Sequence, residues 1–212
     1  VYCSCADQGK QAVPGAVINA SLERNMHIKL IRQLEDESTA LTSMLRSAVY
    51  TRVIVIGDTI VPDLVAAVDN DSEKHYLTLL AIREMKPAAL QEIPDATRLT
   101  IYLKAIQKAG VHNDWGLSGE YLAGASLDIV SIGKKAIPAL IPLLNDTART
   151  GLWGSEDATV NENYQNRVCD LAYYLILHML DRQDVYAQTP AERDEAMSNL
   201  KQGLQQTGLL DD

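Results

Sequence analysis

The chain has 212 residues, of which 47% are apolar, 22% charged and 5% aromatic, a composition of ordinary globular proteins that excludes collagen-like, disulfide-framework and wholly disordered classes. A chain this long can bury roughly 70% of the surface its unfolded form exposes, so it needs neither metal nor disulfide to fold. Its net charge of −9, from 19 Lys plus Arg against 28 Asp plus Glu, comes with no basic cluster able to neutralise a run of phosphates, which argues against nucleic acid and anionic membrane as partners.

The sequence opens Val1-Tyr2-Cys3-Ser4-Cys5-Ala6 without an initiator Met. An apolar stub, Ser4-Cys5 and a polar stretch to Pro14 and Gly15 resemble the end of a bacterial lipoprotein signal. Cys5 is then a candidate lipid-attachment site, although Tyr2 and Cys3 depart from the usual residues there. Attachment would place the protein in the cell envelope; otherwise a cytoplasmic location is expected. Residues 1–18 read as a flexible tether and 19–212 as a single helical domain. The longest nearly uncharged apolar stretch, Ala136 to Leu144, contains two prolines and falls far short of a transmembrane span.

Helical periodicity then runs the length of the domain. A first helix covers about 20–36. Leu41, Met44, Leu45, Ala48, Val49, Val53 and Ile56 recur at three- and four-residue spacing, and Gly57 closes them as a left-handed cap. Tyr76, Leu79, Leu80 and Met85 begin another helix, which must stop or kink at Pro87. Leu122, Ala125, Ile129 and Ile132 form the next, closed by Gly133. Val168, Leu171, Ala172, Leu175 and Met179 follow, with Cys169 read as a small buried hydrophobe. The last helix starts at the capping box Thr189-Pro190-Ala191-Glu192, and Gly208 ends its stripe Met197, Leu200, Leu204.

A repeat lies under these helices. Ile56 to Asn70 aligns with Ile132 to Asp146, so that Gly57, Pro62 and Leu64 meet Gly133, Pro138 and Leu140, 76 residues on. Half that offset, 38, brings Met26, Leu64, Tyr102 and Leu140 into one column and Leu30, Val68, Ile106 and Leu144 into another, four residues apart on one helical face. Val61, Leu99 and Ile137 form a third column, broken at Glu23. Units start near positions 20, 58, 96 and 134, each alternating an inner and an outer helix. Pro62 and Pro138 fall in first turns, where a missing N–H costs nothing. Pro142 lies deeper and should bend its helix.

The pattern Gly-x-x-x-Ile/Val-Pro-x-Leu-Val/Ile, followed by an Asn/Asp pair, resembles HEAT-type repeats, especially the short bacterial kind named after phycobilisome lyases. The resemblance is strongest at 56–71 and 132–147. It implies an all-α fold, an α-solenoid (superhelix) of about four to five HEAT-like hairpins whose inner helices line a concave face that binds other macromolecules. Pro87, Pro94 and Asp95, the last in place of the cap glycine, depart from the pattern and imply a local break in the stack.

The period fails once. An inner helix due near 172 starts near 190, so about 18 residues are inserted, mostly between Asn145 and Tyr164, and an inserted loop is expected near 146–163. It carries Trp153, one period after Trp115. Either both indoles plug gaps between hairpins, or they form a recognition edge with Asp114, Glu156 and Asp157 around them.

Catalytic constellations are missing. His27, His75, His112 and His178 are dispersed, with no His-Glu-x-x-His or Cys-x-x-Cys. Ser118 misses the nucleophile-elbow spacing and reads as a helix cap. Glu156, Asp157 and Asn161 lack the spacing of a calcium loop. Arg167 and Asp170, three apart, read as an exposed or inter-repeat ion pair without function. The sequence is therefore read as a non-enzymatic scaffold without metal or cofactor, binding a basic or mixed-charge protein or peptide on the concave face or on the Trp115/Trp153 edge. Two other readings stay open: a bilin-lyase-like or chaperone-type accessory factor, and a lipid-tethered structural protein of the envelope.

Overall fold

The computed structural model describes residues 14–40, 47–69, 74–108, 115–116, 122–150, 162–182 and 187–206. These are all-helical, and among them no strand forms; an isolated antiparallel bridge joins Arg149 and Arg167. No helix of the described residues is long and apolar enough to cross a membrane.

Helix α1 (Pro14–Ala40) starts inside the stretch read as a tether. It buries His27, Leu30, Ile31, Leu34 and Ser38, a three-four stripe. Met26, expected in the core column, is instead 46% exposed. The buried stripe runs through His27, one residue and about 100° further round the helix, because His27 makes the polar contact that fixes this face. Elsewhere Leu64, Tyr102, Leu140 and Ile106 are fully buried and Leu30 and Leu144 nearly so, whereas Val68 and Leu99 are only partly buried.

Helix α2 (Ala48–Ile56) begins at Ser47, whose Oγ accepts the Tyr50 N–H at 2.7 Å. Gly57 follows with φ 72° and ψ −152°, and 76 residues later Gly133 takes φ 80° and ψ −163°. The positive φ agrees with the sequence, but the extended ψ is not that of a left-handed cap; the pair lies in a region essentially restricted to glycine. Each turn leads into a 3₁₀ segment (Gly57–Ile60, Lys134–Ala136) and then into α3 (Val61–Ala67) and α7 (Ile137–Leu140), each with proline in its first turn. At Pro142 the second copy tightens into a 3₁₀ helix (Ile141–Asn145) where a bend was expected. The proline lacks the N–H that would reach back to Pro138, and its ring crowds that carbonyl.

Helix α4 (Tyr76–Met85) buries every residue from Tyr76 to Ile82, the mark of a central helix, and ends before Pro87. A 3₁₀ segment (Pro87–Glu92) and Pro94 precede α5 (Asp95–Gln107). Helix α6 (Gly124–Ile132) starts later than expected and leaves Leu122 outside, 39% exposed. Helix α8 (Val168–Met179) is buried almost throughout, while α9 (Pro190–Gln206) buries only the stripe Arg193, Met197, Leu200, Leu204. The capping box forms as read: Glu192 N–H donates to Thr189 Oγ1 (3.3 Å) and Thr189 N–H to Glu192 Oε2 (3.1 Å).

Packing follows chain order. Helix α1 lies on α2, α3 and α4; α2 lies on α4; α4 on α5 and α6; α6 on α8; and α8 on α7 and the 3₁₀ turn after it. Polar ties accompany these contacts. Tyr50 Oη donates to Glu84 (2.7 Å), and Arg83 and Tyr102 both donate to the buried Asp128 (2.5 and 2.7 Å). Burial, foremost, and the Asp128 charge push the Tyr102 phenol well above its ordinary range. Asp95 accepts from both Arg98, which is 2% exposed, and Lys135. The Lys135 ammonium, working against burial, and then Arg98 hold the Asp95 carboxyl below its usual value. Lys201 Nζ donates to Leu144 O (3.3 Å) and Asn145 Oδ1 (2.7 Å).

The flanks of segment 151–161 are fastened together. Thr150 N–H donates to Asn166 O and Val168 N–H to Ala148 O, both at 3.0 Å. Beneath them Asp170, fully buried, accepts from Arg167 Nη2 (2.9 Å), Arg167 Nε (3.2 Å) and the Arg167 backbone N–H (2.9 Å), with Arg193 Nε also 2.9 Å away. Arg167 reaches on to Asp194 at 2.8 Å, and Arg193 donates to the carbonyls of Tyr164 (2.5 Å), Ala187 and Gln188 (both 3.0 Å). The pair read from sequence as an exposed or inter-repeat ion pair is not exposed: it is the centre of a buried network that joins α8, α9 and the flanks of segment 151–161.

Candidate functional site

Two neighbouring helices, α1 and α3, flank an open groove of about 310 Å³ lined by Arg24, Ile28, Ile31, Arg32, Glu35, Asp63, Ala66 and Ala67. Helical spacing puts Arg24, Ile28, Ile31 and Glu35 on one face of α1. On α3 the two alanines keep that wall low, with Asp63 one turn earlier. Ile31 is buried, while Ile28 is 39% exposed and forms the apolar contact surface. A second hollow of about 430 Å³, lined by Glu23, Arg24, His27, Thr59 and Asp63, continues the groove toward the start of α3.

Polar contacts set the groove's geometry. His27 Nδ1 lies 2.7 Å from Asp63 Oδ2; the carboxylate can only accept, so Nδ1 carries the proton. His27 is 3% exposed and its Nε2 is buried without a partner. The pair therefore clamps α1 to α3. Arg24 Nε is 3.9 Å from Asp63 Oδ1, with 74% of its side chain in solvent. At the far end His75, 2% exposed, sits between Asp69 (3.0 Å) and Glu35 (3.9 Å). Among the described residues no three His, Cys, Asp or Glu come together as a metal-binding group.

The expected Trp edge is placed only in part. Trp115 is 1% exposed, and its indole stacks on Tyr76 with centroids 5.5 Å apart and planes inclined by 21°. Tyr76 in turn meets Tyr102 edge-on at 6.5 Å. Trp115 therefore fills a gap between helices and offers no ring face to a partner. Asp114, Trp153, Glu156, Asp157 and Cys5 lie outside the described residues. Sequence reading missed Arg24, Arg32 and Asp63 as groove residues. The available signal was that His27 and Asp63 stand 36 apart, close to the 38-residue offset read in the sequence.

No family model, characterised protein or solved structure matches the chain.

Proposed function

We propose that the protein is a non-enzymatic interaction scaffold, an α-solenoid of HEAT-like hairpins that binds a partner protein or peptide of mixed charge in the groove between α1 and α3. The matched turns at Gly57 and Gly133, the succession α2, α4, α6, α8 of packed outer helices, and the ties from one inner helix to the next support the solenoid. The groove carries the binding reading: a low alanine wall, an exposed isoleucine and charged rims between two helices already clamped together. A surface fixed in advance loses little entropy when it binds.

A photo-crosslinking residue placed at Ile28, with the same residue at Val55 as control, tests this in the native cell. Val55 is 81% exposed on α2 and away from the groove. A discrete crosslinked partner from position 28 alone is expected; equal products from both positions would refute the groove.

A second reading, binding by the inserted loop, draws on the fastened base at Thr150 and Asn166 and the buried Arg193 beneath it. Residues 151–161 include Trp153, Glu156 and Asp157 and no Lys or Arg, which suits a basic, apolar ligand.

A further inference from the structure

Resting on the groove as the binding site, we infer that its occupant is a helical segment bearing two carboxylates about two turns apart with an apolar side chain between them. Of the groove's own acids, Asp63 is engaged from within by His27 at 2.7 Å, while Glu35, three-quarters buried, stands 3.9 Å from His75. Its cations are open. Arg24 has 74% of its side chain in solvent and only a 3.9 Å approach to Asp63, an exposed pair of small worth that a ligand can displace. Arg32 is exposed on the same wall. Eight residues separate the two arginines, about 12 Å along the axis of α1, and the exposed Ile28 lies between them opposite Ala66 and Ala67. A helix laid in such a groove presents side chains at i, i+4 and i+7 or i+8; acid, apolar, acid at that spacing meets arginine, isoleucine, arginine. The chain's charge of −9 does not oppose this locally, since residues 1–106 hold 11 basic and 13 acidic groups against 8 and 15 in the remainder, and distant charges are screened beyond about 8 Å at physiological salt.

Two fluorescein-labelled 16-residue helical peptides of Leu, Ala and Glu, or of Leu, Ala and Lys, titrated with the full chain by fluorescence anisotropy, test the inference. Binding of the acidic peptide is expected to be at least tenfold tighter. The double variant Arg24→Glu/Arg32→Glu should weaken it about tenfold and improve the basic peptide; Ala66→Trp, at an exposed position, should abolish both while circular dichroism stays native. If the basic peptide binds tighter and Ala66→Trp abolishes it, the acidic occupant is wrong and the groove stands. If neither peptide binds, or if binding ignores both variants, occupant and groove fall together.

Discussion

Replacing Asp170 by Asn isolates the buried charge network at the junction of α8 and α9. Asp170 is fully buried, Arg193 is 1% exposed, and one carboxylate faces both guanidinium groups. Removing one partner of a buried ion pair costs about 3–5 kcal/mol, because the remaining charge is left in a poor solvent. Asparagine keeps one accepting oxygen, Arg167 keeps Asp194, and Arg193 keeps its backbone carbonyls, so the low end, about 3 kcal/mol, is expected. For a domain of this size that lowers Tm by about 6–12 °C. Asp194→Asn is the internal control: Asp194 is 57% exposed, and its loss should cost less than about 1 kcal/mol. Urea unfolding followed by far-ultraviolet circular dichroism, with equal m-values for all three proteins, reads the difference directly. The Asp170 deficit should persist in 1 M salt, because buried pairs are weakly screened. Equal, small losses for the two variants would refute the view that the network holds α9 to the rest of the chain.

Gly57→Ala and Gly133→Ala should each cost about 1–3 kcal/mol from backbone strain alone, since an added Cβ meets nothing within 4 Å at either turn. Gly203→Ala, equally open but with ordinary helical φ, should instead stabilise by about 0.5–1 kcal/mol in the same urea assay. The lowered Asp95 pKa means that its contribution to stability is complete above its unfolded value of 3.8 and is lost as pH falls through the folded value. Asp95→Asn should therefore lose stability at pH 6 and show a shallower decline than wild type below pH 4. Burial, foremost, and the Asp170 charge push the Cys169 thiol up to about 11, so in a Cys3→Ser/Cys5→Ser background it should resist alkylation at pH 8 until the protein unfolds.

What was legible in the sequence was whatever the backbone dictates locally. The Gly-x-x-x-x-Pro spacing at 57 and 133 encodes a turn that only glycine adopts, followed by a first-turn proline, and both copies take nearly the same angles. The Thr189 capping box is equally local. Face and depth were less legible. Periodicity placed Met26 in the core because it aligned with Leu64, but the rotation of α1 is set by His27 reaching Asp63 on another helix, and no local pattern records that. The roles of Trp115 were left open for the same reason: its burial depends on Tyr76 and Tyr102 arriving from α4 and α5. Arg167 and Asp170 were recognisable as a pair, whereas Arg193 and Asp194 join them only through the path of the chain.

The polar ties answer a problem posed by the composition. A core with no Phe, built from Leu, Ile, Val, Ala and Tyr, packs through aliphatic surfaces that tolerate sliding by a turn at modest cost, because apolar burial is non-directional. Helices with similar apolar stripes make this worse, since a shifted register still pairs apolar faces. Part-buried and buried directional contacts that a shift would leave unsatisfied join several of the helices: His27 to Asp63, Tyr50 to Glu84, and Arg83 and Tyr102 to Asp128. A buried polar group without its partner costs about 1–3 kcal/mol, enough to select one register while adding little net stability to it. The His27–Asp63 tie holds the walls of the groove, so a change that loosens it should let α1 shift against α3, moving Arg24 and Arg32 relative to Ala66 and Ala67 before the chain unfolds.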